Sequence, residues 1–185
     1  MIDEILLDAE ERMDKAVEAY QHVLDTVRTG RANTALVEHL QVEHYGQRMS
    51  LNQLATLGAP EAQLITIQPW DQGATNPIMK AIQTSDLGIT PQSDGKIIRL
   101  PIPQLTEDRR RDLVKQLGAK TEEARVAVRN IRRHAMDELK KALRNSELSE
   151  DDEHQGESGI ERLTHDHIER LEALGKEKEQ ELLQV

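Results

Sequence analysis

Residues 106–144 read TEDRRRDLVKQLGAKTEEARVAVRNIRRHAMDELKKALR, 39 residues without a proline. Apolar side chains fall at Leu113, Leu117, Ala124, Val128, Ile131, Ala135, Leu139 and Ala142. Those steps of three, four and seven place them on one stripe of an α-helix. Thr106 supplies a cap, and Glu107 and Asp108 put carboxylates in the first turn, where the helix dipole favours them. At 1.5 Å per residue this helix would be roughly 58 Å long. A stripe of that length needs partners of similar length to leave water.

The partners lie at the two ends of the chain. Residues 1–29 repeat the period through Ile2, Leu6, Ala9, Met13, Ala16, Tyr20, Val23 and Val27, and Thr29-Gly30 stops it. A last helix is predicted from Ile160 to about Leu183, with Ile160, Leu163, Leu171, Leu174 and Leu182 inward. Residues Ser146–Gly159 read as an acidic connection carrying Gly156 and Gly159. The economical arrangement is an antiparallel three-helix bundle of residues 1–29 with 106–185.

Residues 31–104 have another character. All six prolines fall in or just beside this stretch, at 60, 69, 77, 91, 101 and 103. β-type segments are predicted at Val37–His44, Leu64–Gln68 and Lys96–Leu100, with turns at Tyr45-Gly46 and Ser93-Asp94-Gly95. Pro77–Thr84 reads as one short helix capped by Thr75-Asn76. The fold class is therefore α+β: an elongated bundle with a small inserted domain. Its two connections, Thr29-Gly30-Arg31 and Pro101–Leu105 with Pro101 and Pro103, must lie together, and two strands of chain joining two bodies can act as a hinge.

Composition excludes several classes. There is no Cys, so disulfides and thiol chemistry are absent. Trp70, Tyr20 and Tyr45 are the only aromatic residues, too few for a reader of single-stranded bases. Trp70 is expected to be a core residue or surface plug of the insert. No apolar run approaches the ~18 residues of a membrane span. The acidic start, Met1-Ile2-Asp3-Glu4, resembles neither a signal nor a transit segment. A bacterial, cytoplasmic protein without membrane contact is expected.

The net charge of −10 conceals segregation. Residues 1–29 carry −5, residues 147–185 carry −9, and residues 106–144 carry +5. At 100° per residue, Arg111, Lys115, Arg125, Arg129, Arg132, Arg133 and Lys140 fall within about 100° beside the apolar stripe. One edge of the bundle should carry a cationic rail, densest in RVAVRNIRR at 125–133. Arginine suits bidentate contact with phosphate, and folded RNA needs no stacking rings. The competing reading is that acids of neighbouring helices neutralise these arginines.

No enzyme constellation emerges. Gly46, Gly58, Gly73 and Gly88 lack the spacing of a phosphate loop, and His165 and His167 lie two apart on a helix, facing different sides. With Asp151, Asp152 and His154 they make a poor metal set. Neither catalysis, nor a metal, nor a cofactor is expected. A coiled-coil adaptor with a protein partner, or a hydrolase with a site hidden in the insert, are the alternative classes.

Four segments resemble the ribosome recycling factor family: Arg28-Thr29-Gly30-Arg31-Ala32-Asn33, Ser85-Asp86-Leu87-Gly88, Arg99 to Glu107, and above all Glu123 to Arg133. The resemblance spans the chain, including the acidic Glu150-Asp151-Asp152-Glu153. It implies an L-shaped, monomeric molecule in which a three-helix bundle and a β/α/β domain meet at a hinge. The implied function is ribosome recycling. The factor binds in the intersubunit space after peptide release and separates the subunits together with elongation factor G and GTP. By position, Arg129, Arg132 and Arg133 would hold large-subunit rRNA, with Arg28 and Arg31 as further candidates. Two positions depart from the family pattern: Thr34, where proline is frequent, and His134, where an acid is frequent.

Overall fold

The computed structural model describes residues 1–184. The chain divides into two compact units, Met1–Leu24 with the chain from Arg111 onward, and Asp25–Arg110.

The first unit is a bundle of α1 (Ile2–Asp25), α3 (Glu107–Arg144) and α4 (Glu150–Leu183). Its register can be read from cross-helix pairs. Tyr20 meets Thr121 and Arg12 meets His134, so α1 and α3 run antiparallel. Arg125 meets Glu172, and a Cβ on Gly156 would touch Leu139, so α3 and α4 run antiparallel as well. Asp14 meets His167, and Gly159 abuts Leu6, so α1 and α4 are parallel. The core at one end joins Ala9, Ala135, Leu139 and Ile160, with Ile5, Leu6, Ile131, Met136 and Leu148 around them. The apolar stripe of residues 106–144 is the buried face of α3.

Two helix boundaries differ from expectation. α1 ends at Asp25 rather than at Thr29. The Ser146–Gly159 connection is in fact mostly helix, because α4 starts at Glu150. Ser149 caps it, with its Oγ accepting from the Asp152 amide and Asp152 reaching back to the Ser149 backbone. The hydroxyl and backbone of Ser149 hold the Asp152 carboxyl below the usual range. The four acids suit the positive end of the helix dipole. Gly156 and Gly159 do not break the helix. Each leaves room for a leucine of a neighbouring helix, with an added Cβ coming within 2.9 Å of Leu139 or Leu6 methyls.

The second unit holds α2 (Thr75–Thr84) and two antiparallel sheets. β1 (Gln41–His44) pairs with β2 (Gln47–Ser50). The larger sheet has the order β3 (Ala55–Glu61), β4 (Leu64–Pro69), β6 (Ile98–Pro101), β5 (Gln92–Ser93). One core joins Val42 of the hairpin, Ile65, Ile67, Ile98 and Leu100 of the larger sheet, and Ile78 and Ile82 of α2.

Here too the local reading needs correction. Residues 37–40 are not strand. A short 3-10 turn at Thr34–Leu36, capped by Asn33, precedes β1. β3 went unrecognised because Gly58 and Pro60 look like breakers. It is an edge strand whose register shifts between Gly58 and Glu61, where a missing N–H costs nothing. β6 starts at Ile98, because the Asp94 carboxylate accepts from the Lys96 and Ile97 amides and extends the turn. These bonds and Arg99 lower the Asp94 pKa to about 2. Thr75-Asn76 does not cap α2, which has no side-chain cap; the cap lies one turn earlier, where Asp71 accepts from Gly73. Trp70 is not a core residue, being 65% exposed.

Tyr45 and Gly46 form the tight turn of the β1–β2 hairpin with φ of 49° and 75°. That left-handed geometry suits glycine, and for tyrosine it costs about 1–2 kcal/mol.

Candidate nucleic-acid interface

Helical spacing places the seven cations of α3 along one edge, and the tertiary fold then divides them. Glu122, at nearly the same angle as Arg129, sits within the rail. Arg125 bonds Glu122 at 2.9 Å and, across the groove to α4, Glu172 at 3.0 Å. Its side chain is only 26% exposed, and the two carboxylates, Glu122 first, raise its pKa further. Arg129 also reaches Glu122, at 3.3 Å, and remains 45% exposed. An acid of a neighbouring helix therefore neutralises Arg125, whereas Arg129 is partly compensated by Glu122 of its own helix.

Beyond them the rail is open. Among the described residues, no carboxylate lies within ion-pair distance of Arg132, Arg133, Lys140 or Lys115. Arg133, Lys140 and Lys115 are exposed and Arg132 is half-buried, lying nearer the apolar stripe. Arg111 is exposed at the start of the same edge. His134, next to the open pair, faces another way. It contacts Arg12 of α1 at 3.2 Å and stands 3.8 Å from Glu138. The open stretch is thus Arg132, Arg133 and Lys140, about two turns of α3, with Lys115 open nearer the helix start and the compensated Arg125 and Arg129 interrupting the rail between.

The remaining candidates belong to the second unit. Arg28 is half-buried. Its guanidinium donates to the Leu87 carbonyl at 3.4 Å, while its buried Nε has no partner. Arg31 is exposed and Thr29 is buried. Gly30 has φ of 77°, and a Cβ there would stand 3.3 Å from Leu105. Pro101 ends β6 opposite Leu64, and Pro103 follows it, exposed. The two connections are adjacent: Ala32 donates to the Ala62 carbonyl and Ile102 to that of Gln63, both on the β3–β4 turn. The unit borders, at 24/25 and 110/111, lie outside residues 29–31 and 101–105.

Two clusters escaped the sequence reading. His167, 5% exposed on α4, bonds the Leu163 carbonyl through Nδ1 at 2.6 Å and Asp14 of α1 through Nε2 at 2.8 Å. In the second unit Tyr45 meets Asp71, the chain neighbour of the exposed Trp70. Only the bulky residue at a tight turn hinted at the latter; nothing local hinted at the former. No group of three or more His, Asp or Glu residues suited to a metal exists among the described residues. Nor is any of their helices long and apolar enough to cross a membrane.

The model of a protein family described as "Ribosome recycling factor" matches residues 20–183. A ribosome-recycling factor of Thermomicrobium roseum is 48% identical over 185 residues, covering all of both chains. One of Geobacillus thermodenitrificans is 49% identical with the same coverage. Among solved structures, the solution structure of a ribosome recycling factor superposes with TM-score 0.83 at 41% identity, over 100% of this chain and 98% of that one. A second, with TM-score 0.71 and 44% identity over all of both chains, is a model of the Thermus thermophilus factor. It is described together with Escherichia coli elongation factor G bound to the E. coli post-termination complex.

Proposed function

This chain belongs to the ribosome recycling factor family, and on that premise we propose that it disassembles the post-termination ribosome together with elongation factor G and GTP. It works as a monomer in the intersubunit space, by binding and leverage, without catalysis of its own. The edge of α3, with Arg129 partly compensated by Glu122 and Arg132, Arg133 and Lys140 open, grips phosphates of large-subunit rRNA. Lys115 and Arg111 extend the grip toward the start of the helix. Arg31 adds a contact from the other unit, while Arg28 holds the first connection to the 85–88 loop through the Leu87 carbonyl.

The observation that carries this reading is the pair Arg132 and Arg133. Among the described residues neither has a carboxylate within ion-pair distance, on a chain of net charge −10. Uncompensated cations attract phosphate, and the acidic remainder repels RNA elsewhere, which selects one orientation. The second unit pivots where the two connections run side by side near Gly30 and Leu105, and the GTPase pushes it against the intersubunit bridges.

Co-sedimentation with vacant ribosomes over a salt series tests the grip. Arg132→Glu should weaken binding strongly. Arg132→Gln should also reduce the slope of log affinity against log salt by about 1, the share of one phosphate contact. Unchanged affinity and slope would refute the assignment. Rigidifying the connection at Gly30 should leave binding intact and slow subunit splitting; normal splitting would refute the lever.

A further inference from the structure

The chain has three aromatic residues, and the structure buries only Tyr20. Tyr45 is 82% exposed and Trp70 is 65% exposed. In the second unit they are the only exposed large apolar side chains among the described residues; the others belong to the bundle. Single exposed apolar residues need no explanation, but an exposed tyrosine bonded to a carboxylate whose chain neighbour is an exposed tryptophan does.

That carboxylate is Asp71. The Tyr45 hydroxyl donates to its Oδ2 at 3.4 Å, and the Gly73 amide to its Oδ1 at 2.9 Å. Trp70 is its neighbour in the chain, with the indole N–H donating to Thr56 Oγ1 at 2.8 Å. The ring of His44 packs on that of Tyr45, with centroids 4.1 Å apart. Both rings are thus held in place before anything binds, which lowers the entropy lost on docking. His44 Nε2 also stands 3.6 Å from Asp71 Oδ2, yet the Asp71 side chain is 55% exposed and keeps lone-pair sites for an incoming donor.

We propose that Tyr45, Asp71 and Trp70 form a docking point for an arginine side chain of a protein partner on the ribosome. The inference rests on the recycling function above. A guanidinium stacks on an aromatic face and bonds a carboxylate with its planar fork, and this patch offers both. Tryptophan and tyrosine anchors of this kind dominate the energetics of protein interfaces. An RNA partner would also stack on the rings, but its phosphates would be repelled by Asp71. The patch and the arginine edge therefore select opposite partners: a cationic protein surface for one, a polyanion for the other.

The test uses the full chain with vacant ribosomes, elongation factor G and GTP, reading the concentration that gives half-maximal subunit splitting. Trp70→Ala and Asp71→Asn should each raise it about tenfold, the loss of a buried cation–π and ion-pair anchor. Asp71→Asn keeps an acceptor for the Gly73 amide, so the fold is preserved, which thermal melts would verify. Asp71→Arg should be worse than Asp71→Asn. Improved splitting by Asp71→Arg would identify a phosphate partner and overturn the proposal, as would wild-type values for Trp70→Ala and Asp71→Asn. Tyr45→p-benzoylphenylalanine should photo-crosslink in the same mixture to an arginine-bearing protein segment; an adduct to rRNA alone, or none, would overturn it. Arg132→Glu is run alongside. If it binds normally, the RNA-edge assignment fails while the Asp71 series still decides the patch.

Discussion

Nε2 of His167 lies 2.8 Å from Oδ1 of Asp14, tying α4 to α1 in the middle of the bundle. Arg170 reaches the same oxygen at 3.0 Å. Since the Leu163 carbonyl and the Asp14 carboxylate only accept, both imidazole contacts are hydrogen bonds when both ring nitrogens carry hydrogen. The bond from His167, and then that from Arg170, hold the Asp14 carboxyl below its ordinary value of 3.8. A carboxyl lowered by folding adds stability above its unfolded pKa and loses it as pH falls through the folded one. Asp14→Ala should therefore melt lower than the wild type at pH 7. The gap should close as pH drops below 3.8, and paired melting curves across the acid range would show it.

Thr121 Oγ1 donates to the Leu117 carbonyl at 2.9 Å, which leaves it to accept from the Tyr20 hydroxyl at 2.6 Å. Tyr20→Phe removes that buried bond and strands no charge. We expect a loss of about 1 kcal/mol in urea unfolding, with the slope unchanged. A variant as stable as the wild type would mean that the bond contributes nothing.

Two glycines in helix interiors should respond with opposite sign. Gly118 of α3 is exposed, and a Cβ there would touch nothing. Gly118→Ala should gain about 1 kcal/mol, the helix propensity difference alone. At Gly156 even a Cβ would overlap both methyls of Leu139, which is fully buried. Gly156→Val should lose about 1–3 kcal/mol through overpacking. Thermal melts of both variants provide the comparison.

Glu122 compensates two arginines of the rail at once. Glu122→Gln should free Arg129 while Arg125 keeps Glu172. Ribosome affinity should then rise at low salt and converge with the wild type as screening grows. Equal affinity at low salt would show that this part of the rail does not face RNA.

The bundle was legible because a helix advertises its buried face every three or four residues, as Leu113, Leu117 and Leu139 do. The turn at Tyr45-Gly46 was legible for an equally local reason. α4 was misread at its start because Gly156 and Gly159 signal flexibility locally, whereas Leu139 and Leu6 fill the space they leave. β3 was missed because a strand depends on its neighbours: β4 supplies the partner that Gly58 and Pro60 seem to refuse.

By itself the sequence determined the long cationic helix, the acidic helices beside it and the break where the small unit enters. Periodicity and charge order are properties of neighbouring residues, and no fold is needed to read them. The tertiary structure decided which cations keep their charge for a ligand. Arg125 is neutralised by Glu172, 47 residues away, a pairing that only the antiparallel register of α3 and α4 creates. It also decided that Asp71 meets the exposed Tyr45, which reaches it from 26 residues upstream. Electrostatic compensation depends on distance in space, and chain order alone does not set that distance.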